Sequence, residues 1–140
     1  MITRKTDRVL SSLRRVIQSS TLKDWIKAVK LNVARNYGCR LYMDENIVNA
    51  LQNLVEKTKI KIPKPFNVFY FVLYDEKLNS YYLVAAIYKI LYIATMWTTV
   101  VEEVETAEQL SIILNDPNEQ DNMVEDIIRE INKFNAVFGT

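Results

Sequence analysis

The side chains best suited to binding a charged ligand are basic and cluster near the N-terminus. Lys23, Lys27 and Lys30 follow one another at i, i+4 and i+7, so on a helix they project from one strip. Such a strip can follow the phosphates of a nucleic-acid backbone, and lysine suits phosphates better than base edges. We therefore expect binding with little sequence preference. The candidate nucleic-acid-binding residues are Arg14, Arg15, Lys23, Lys27, Lys30 and Arg35.

The net charge of +1 conceals a division along the chain. Residues 1–40 hold ten basic and two acidic groups, a charge of +8, whereas the remaining hundred hold eight basic and fifteen acidic groups, a charge of −7. A segment this basic gains free energy by displacing counterions from nucleic acid. Alternatively, it neutralises the acidic remainder, within one molecule or between neighbouring copies. Both interpretations stay open, and they are compatible in an assembly.

The sequence offers little for catalysis or for metal binding. It contains no histidine and one cysteine, Cys39, so the usual zinc, haem and iron ligand sets and the commonest general base are missing. A basic neighbour, Arg40, would lower the pKa of Cys39, but without a histidine partner we expect a structural thiol. We expect a non-enzymatic protein without a metal or cofactor. The carboxylates interpreted as a solvated helix face are Glu102, Glu103, Glu105 and Glu108.

The N-terminus runs directly into charged residues and lacks the apolar centre of a secretory signal. We therefore expect the reducing interior of a cell, such as a host cytoplasm, or a virion. The segment 80–101 approaches the length of a membrane span, but Lys89 near its middle makes insertion costly. We expect a buried segment there, without a membrane span.

Few turn-forming residues interrupt the chain, since it has two glycines and three prolines, and this favours long helices. The first helix is expected from about Thr6, and the second from a Thr21 cap to Gly38. Asp44 is the predicted N-cap of a third helix, with Met43 and Val48 as a hydrophobic staple. Thr106 begins a short helix through 114, and a final helix covers about 118–138.

The fold class depends on residues 66–105, where helix and strand patterns compete. On a helix, the apolar residues of 80–105 share one face, and no strand alternation is present. The alternative is a three-stranded antiparallel meander of 67–74, 80–88 and 90–100, weakened because Tyr88 and Lys89 form a poor hairpin turn. We predict a single, mostly α domain, with a basic helical arm (1–40) and an antiparallel helix bundle (43–138). Tyrosines at this spacing could stack on nucleobases, but on a helix they more often pack against a neighbouring helix or a partner subunit. We therefore predict an interface at Tyr81, Tyr82, Tyr88 and Tyr92.

This plan of a basic two-helix arm followed by a bundle resembles the coat proteins of filamentous archaeal viruses, although no motif matches residue by residue. The composition also resembles that of small proteins of hyperthermophilic archaea and their viruses. The resemblance implies a structural virion protein that packages double-stranded DNA and contacts copies of itself. The competing hypothesis is a small regulatory or inhibitory protein, of viral type, that binds a host protein or a nucleic-acid enzyme.

Overall fold

An antiparallel sheet forms the centre of the computed structural model, which describes residues 2–7, 22–90 and 95–138, with side chains for 22–90 and 97–136. Within these ranges the sheet has five strands in the order β1-β5-β4-β3-β2. The strands are β1 (Ile2–Asp7), β2 (Arg40–Tyr42), β3 (Asn67–Asp75), β4 (Ser80–Ile90) and β5 (Thr95–Val104). The first two strands in the chain, β1 and β2, are therefore the two edges of the sheet.

Four helices lie among the described residues: α1 (Leu22–Asn36), α2 (Glu45–Lys61), α3 (Ala107–Asn115) and α4 (Pro117–Phe138). Two of the predicted N-caps are confirmed. The Asp44 carboxylate accepts from the backbone N–H of Asn46 at 2.9 Å, and the Thr106 hydroxyl accepts from that of Gln109 at 3.1 Å. Gly38, at φ +64°, follows α1 in the left-handed conformation that favours glycine, as predicted.

Helices cover both faces of the sheet, which makes three layers. On one face, α1 packs against the strands through Trp25, Val29 and Val33. On the other face lie α2, α3 and α4. Their contributions to that core include Ile47, Leu54, Leu110, Ile113, Leu114, Ile127, Ile131 and Phe134. The central strands are consequently buried on both sides.

The prediction of a mostly α fold is wrong, and the alternative meander is the better description. Residues 67–75, 80–90 and 95–104 are consecutive antiparallel strands. Tyr88 and Lys89 do not form a turn, because they lie within β4 and pair with Trp97 and Met96. The missing alternation has a physical cause: strands covered by helices on both faces are apolar at odd and even positions alike.

The predicted division into a helical arm and a helix bundle is also wrong. Residues 2–7 form a strand paired with β5, and α1 packs on the sheet. The predicted Thr21 cap and most of the first helix fall at 8–21, outside the described residues. The remaining predicted helices at 22–36, 45–61, 107–115 and 117–138 are present.

Two further expectations change because 80–104 is sheet. Tyr82 and Tyr88 are buried beneath α1 and are not a partner surface, while Tyr92 falls outside the described residues. Glu102 is 3% exposed, so it does not belong to a solvated face. Both errors follow from assigning helical periodicity to a strand, in which neighbouring residues point to opposite faces.

Candidate functional site

The predicted nucleic-acid-binding residues are not gathered into one cluster by the described structure. Lys23, Lys27 and Arg35 are exposed on α1. Lys30 is half-buried and faces a groove at the β2 edge of the sheet. Arg14 and Arg15 lie outside the described residues. Of the described members of the predicted set, Lys30 is the one that lines this groove.

The groove exists because strand β2 is much shorter than its neighbour. β2 has three residues and β3 has nine. In register, Arg40 pairs with Tyr74 and Tyr42 pairs with Val72, after which the chain turns into α2 at the Asp44 cap. Residues 67–71 of β3 pair with β4 on their inner side, but no strand of the described residues pairs with their outer side. We call residues 67–71 the open edge.

Two helices rise beside the open edge and make it the floor of a recess of about 230 Å³, which we call the edge groove. One wall is α2, and the end of β2 closes the groove near Tyr42 and Met43. Met43 is 77% exposed and Val48 is 41% exposed, so both apolar side chains face solvent here. The α2 wall is formed by Ile47, Val48, Leu51, Gln52 and Val55.

Side chains along the floor alternate between the two helical layers. Tyr70 belongs to the core beneath α2, whereas Phe71 and Phe69 belong to the side covered by α1. The Thr58 hydroxyl donates to the Leu54 carbonyl at 2.7 Å, so its oxygen is left to accept from the Tyr70 hydroxyl, also at 2.7 Å. This buried pair joins α2 to the floor, and burial raises the pKa of Tyr70.

Electrostatically, the edge groove has one cation and no anion among its described lining residues. The cation is Lys30, on the α1 side. Burial lowers the pKa of Lys30, because a half-buried ammonium is poorly hydrated. No carboxylate of the described residues forms an ion pair with it. A ligand that places a carboxylate here would therefore compensate the Lys30 ammonium for its lost hydration.

Reactive groups outside the edge groove are less suited to binding a ligand. Burial raises the pKa of the Cys39 thiol, and the nearby charge of Asp75 adds to this, so the expectation that Arg40 lowers it is wrong. Arg40 instead contacts Glu76 at 2.8 Å and lies over the Tyr74 ring. Among the described side chains, no group of acidic residues and cysteine is arranged to hold a metal ion.

Within the described ranges, no helix combines the length and apolar character needed to cross a membrane. Comparisons of the chain with protein-family models, with curated proteins and with solved structures found no match. No relative therefore tests the resemblance to viral coat proteins, and among the described residues a sheet covered by helices stands in place of the bundle on which the resemblance partly relied.

Sequence reasoning missed the edge groove because its parts are distant in the chain. Lys30, Val48 and Phe69 come together only through the pairing of β2 with β3. One signal was present: Met43 and Val48 are apolar residues at the start of a polar helix. The predicted hydrophobic staple accounts for the apolar character of Met43 and Val48, but both side chains are exposed and line the groove.

Proposed function

We propose that this chain is a small, non-catalytic regulatory protein that binds another protein by accepting an extended segment of it into the edge groove. The observation that carries the proposal is the open edge, a run of β-strand backbone without a described partner at the bottom of an apolar recess. Its position between two helices distinguishes it from an ordinary exposed strand.

Strand addition explains how such a groove binds. In a strand, alternate residues direct their backbone N–H and C=O groups toward each side, so the open edge offers unpaired donors and acceptors to an incoming strand. These groups give affinity that depends little on sequence. Val48 and Leu51 on the α2 wall then provide apolar surface for the side chains of the incoming segment, and burial of that surface adds to the affinity.

Nucleic-acid binding stays a prediction, and the edge groove favours protein binding over it. A phosphate backbone requires several cations in a row, whereas the described groove lining is mainly apolar and has one, Lys30. Lys23 and Lys27 are exposed on α1 and remain the part of the predicted set on which that function depends. Packaging of DNA in a virion requires this second activity.

Selection of peptides from a random library tests the proposal without knowledge of the natural partner. Displayed peptides of about twelve residues, long enough to span the open edge, are selected on the wild-type protein. Each enriched peptide is then measured against Val48→Glu, which places a charge on the groove wall. The matched control is Ile60→Glu, on the same helix at a residue that is 84% exposed and outside the groove.

We expect enriched peptides to bind wild type and Ile60→Glu equally, and to bind Val48→Glu at least about tenfold more weakly, since a charge must be desolvated there. Amide hydrogen exchange should slow at the open edge when peptide is bound. Circular dichroism checks that both variants are folded. The proposal is refuted if no peptide is enriched, or if the enriched peptides do not distinguish the two variants.

A further inference from the structure

The two sides of the edge groove present different chemistry to an incoming strand. Side chains that lie opposite each other in neighbouring strands share a face of the sheet. A residue placed opposite Tyr70 therefore meets the α2 wall, with Val48 and Leu51. A residue placed opposite Phe69 or Phe71 lies on the α1 side, where Lys30 lines the groove.

These surroundings define which residue type is accepted on each face. The α2 wall is apolar apart from Gln52, so valine, isoleucine or leucine gains most there. On the other face, an acidic residue pairs with the half-buried Lys30, whereas an apolar residue leaves the ammonium unpaired and further desolvated. The alternation holds for either direction of the incoming strand, because strand side chains alternate with a period of two in both.

Two other occupants of the edge groove are less compatible with the positive charge of Lys30. A second copy of the chain would present the same recessed edge, and a symmetric pairing would bring two Lys30 side chains toward each other. The chain's own segment 8–21 contains Arg8, Arg14 and Arg15 and no carboxylate. Neither supplies an anion to Lys30.

We propose that the edge groove selects an extended segment in which apolar and acidic residues alternate, with the apolar side chains against α2 and an acidic side chain paired with Lys30. This inference rests on the proposed function and specifies its ligand. The partner is thus identified by chemistry, as a protein with an exposed strand or tail in which glutamate or aspartate alternates with branched aliphatic residues.

A designed peptide tests the rule directly. The probe is a fluorescein-labelled heptapeptide with the sequence threonine-valine-glutamate-valine-glutamate-valine-threonine, compared with otherwise identical peptides that carry glutamine or lysine in place of both glutamates. Binding to the full chain is measured by fluorescence anisotropy at about 50 and about 500 mM NaCl, since salt screens a partly exposed pair. The protein variants are Lys30→Gln, Lys30→Glu and the control Lys77→Gln, an exposed lysine in the turn after β3.

We expect the glutamate peptide to bind wild type and Lys77→Gln alike, and Lys30→Gln about tenfold more weakly. The glutamine peptide should bind wild type about tenfold more weakly than the glutamate peptide and should lose less affinity in high salt. The decisive result is reciprocal: Lys30→Glu should reject the glutamate peptide and bind the lysine peptide. Restored binding with exchanged charges is not expected of a lysine that only supports the fold.

Two results would overturn the inference: the glutamate peptide does not bind wild type, or it binds Lys30→Gln as well as wild type. If Lys30→Gln also self-associates in sedimentation experiments, the second result would mean that Lys30 only protects the edge against pairing with other copies. If the inference fails while library peptides still distinguish Val48→Glu from Ile60→Glu, the groove binds strands without charge selection and the proposed function stands. If the library also yields nothing, both fail.

Discussion

Replacement of Trp25 by alanine tests whether α1 belongs to the core of the free protein. The Trp25 side chain is 0% exposed. Its ring lies 5.0 Å from that of Tyr88 and 6.3 Å from that of Phe69, measured between centroids. Phe69 is also in the floor of the edge groove, so this aromatic cluster supports the open edge from the α1 side.

The expected loss follows from these contacts. Truncation of a fully buried tryptophan costs about 3 to 5 kcal/mol of unfolding free energy, of which the two ring pairs account for about 1 to 3 kcal/mol. The Trp25 indole N–H has no described hydrogen-bond acceptor. Trp25→Phe removes this unsatisfied donor and leaves a smaller cavity than alanine does. Because the first effect offsets the second, the unfolding free energy should change by no more than about 1 kcal/mol.

Urea unfolding followed by far-ultraviolet circular dichroism measures these differences without depending on tryptophan fluorescence. Leu31→Ala is the control, because Leu31 is on the same helix and 50% exposed; it should change stability by less than about 1 kcal/mol. A Trp25→Ala protein within about 1 kcal/mol of wild type would contradict this reasoning. It would show that α1 orders only when a partner binds.

Three further predictions concern a cap, an ion pair and the basic strip. Asp44→Ala should lower stability by about 1 kcal/mol in urea unfolding through loss of the α2 N-cap, and Asp44→Asn should retain most of it; equal losses would refute the capping role. The pKa of Asp121 lies below its ordinary value because the Lys57 ammonium donates to its carboxylate at 2.8 Å. The ion pair therefore stabilises the folded protein at pH values above the unfolded-state pKa of Asp121, and this stabilisation is lost as the pH falls through the lower folded-state pKa. Carboxyl NMR titration should show Lys57→Met raising that pKa, and an unchanged value would count against the pair. Lys23→Gln with Lys27→Gln should reduce the salt slope of duplex DNA binding by about two units in anisotropy titrations with two unrelated duplexes, and no wild-type binding at low salt would end the nucleic-acid hypothesis.

Local signals in the sequence were sufficient for the helices. The Asp44 and Thr106 caps, Gly38 after α1 and the apolar periodicity of α4 each depend on residues within a few positions of one another. Such short-range hydrogen bonds and steric limits are written in the sequence itself. The charge division and the absence of histidine are likewise properties of the sequence alone.

Only the tertiary structure decided between helix and strand at 80–104. A strand is recognised from alternating polar and apolar residues when one of its faces is exposed to solvent and the other is buried. β4 is covered by α1 on one face and by α2, α3 and α4 on the other, so both faces are apolar and the pattern imitates a buried helix. The charged segment 2–7 gave no strand signal either, because its strand state depends on pairing with β5 about a hundred residues later.

The edge groove was decided entirely by tertiary structure. Its two flanks come from α1 and α2, and its floor exists because β2 stops opposite Val72 while β3 begins at Asn67. The sequence determined that Lys30 is basic and that Val48 is apolar. Whether they lie across one groove depends on strand register, which is set by non-local hydrogen bonds and by packing of the two helical layers on opposite faces of one sheet.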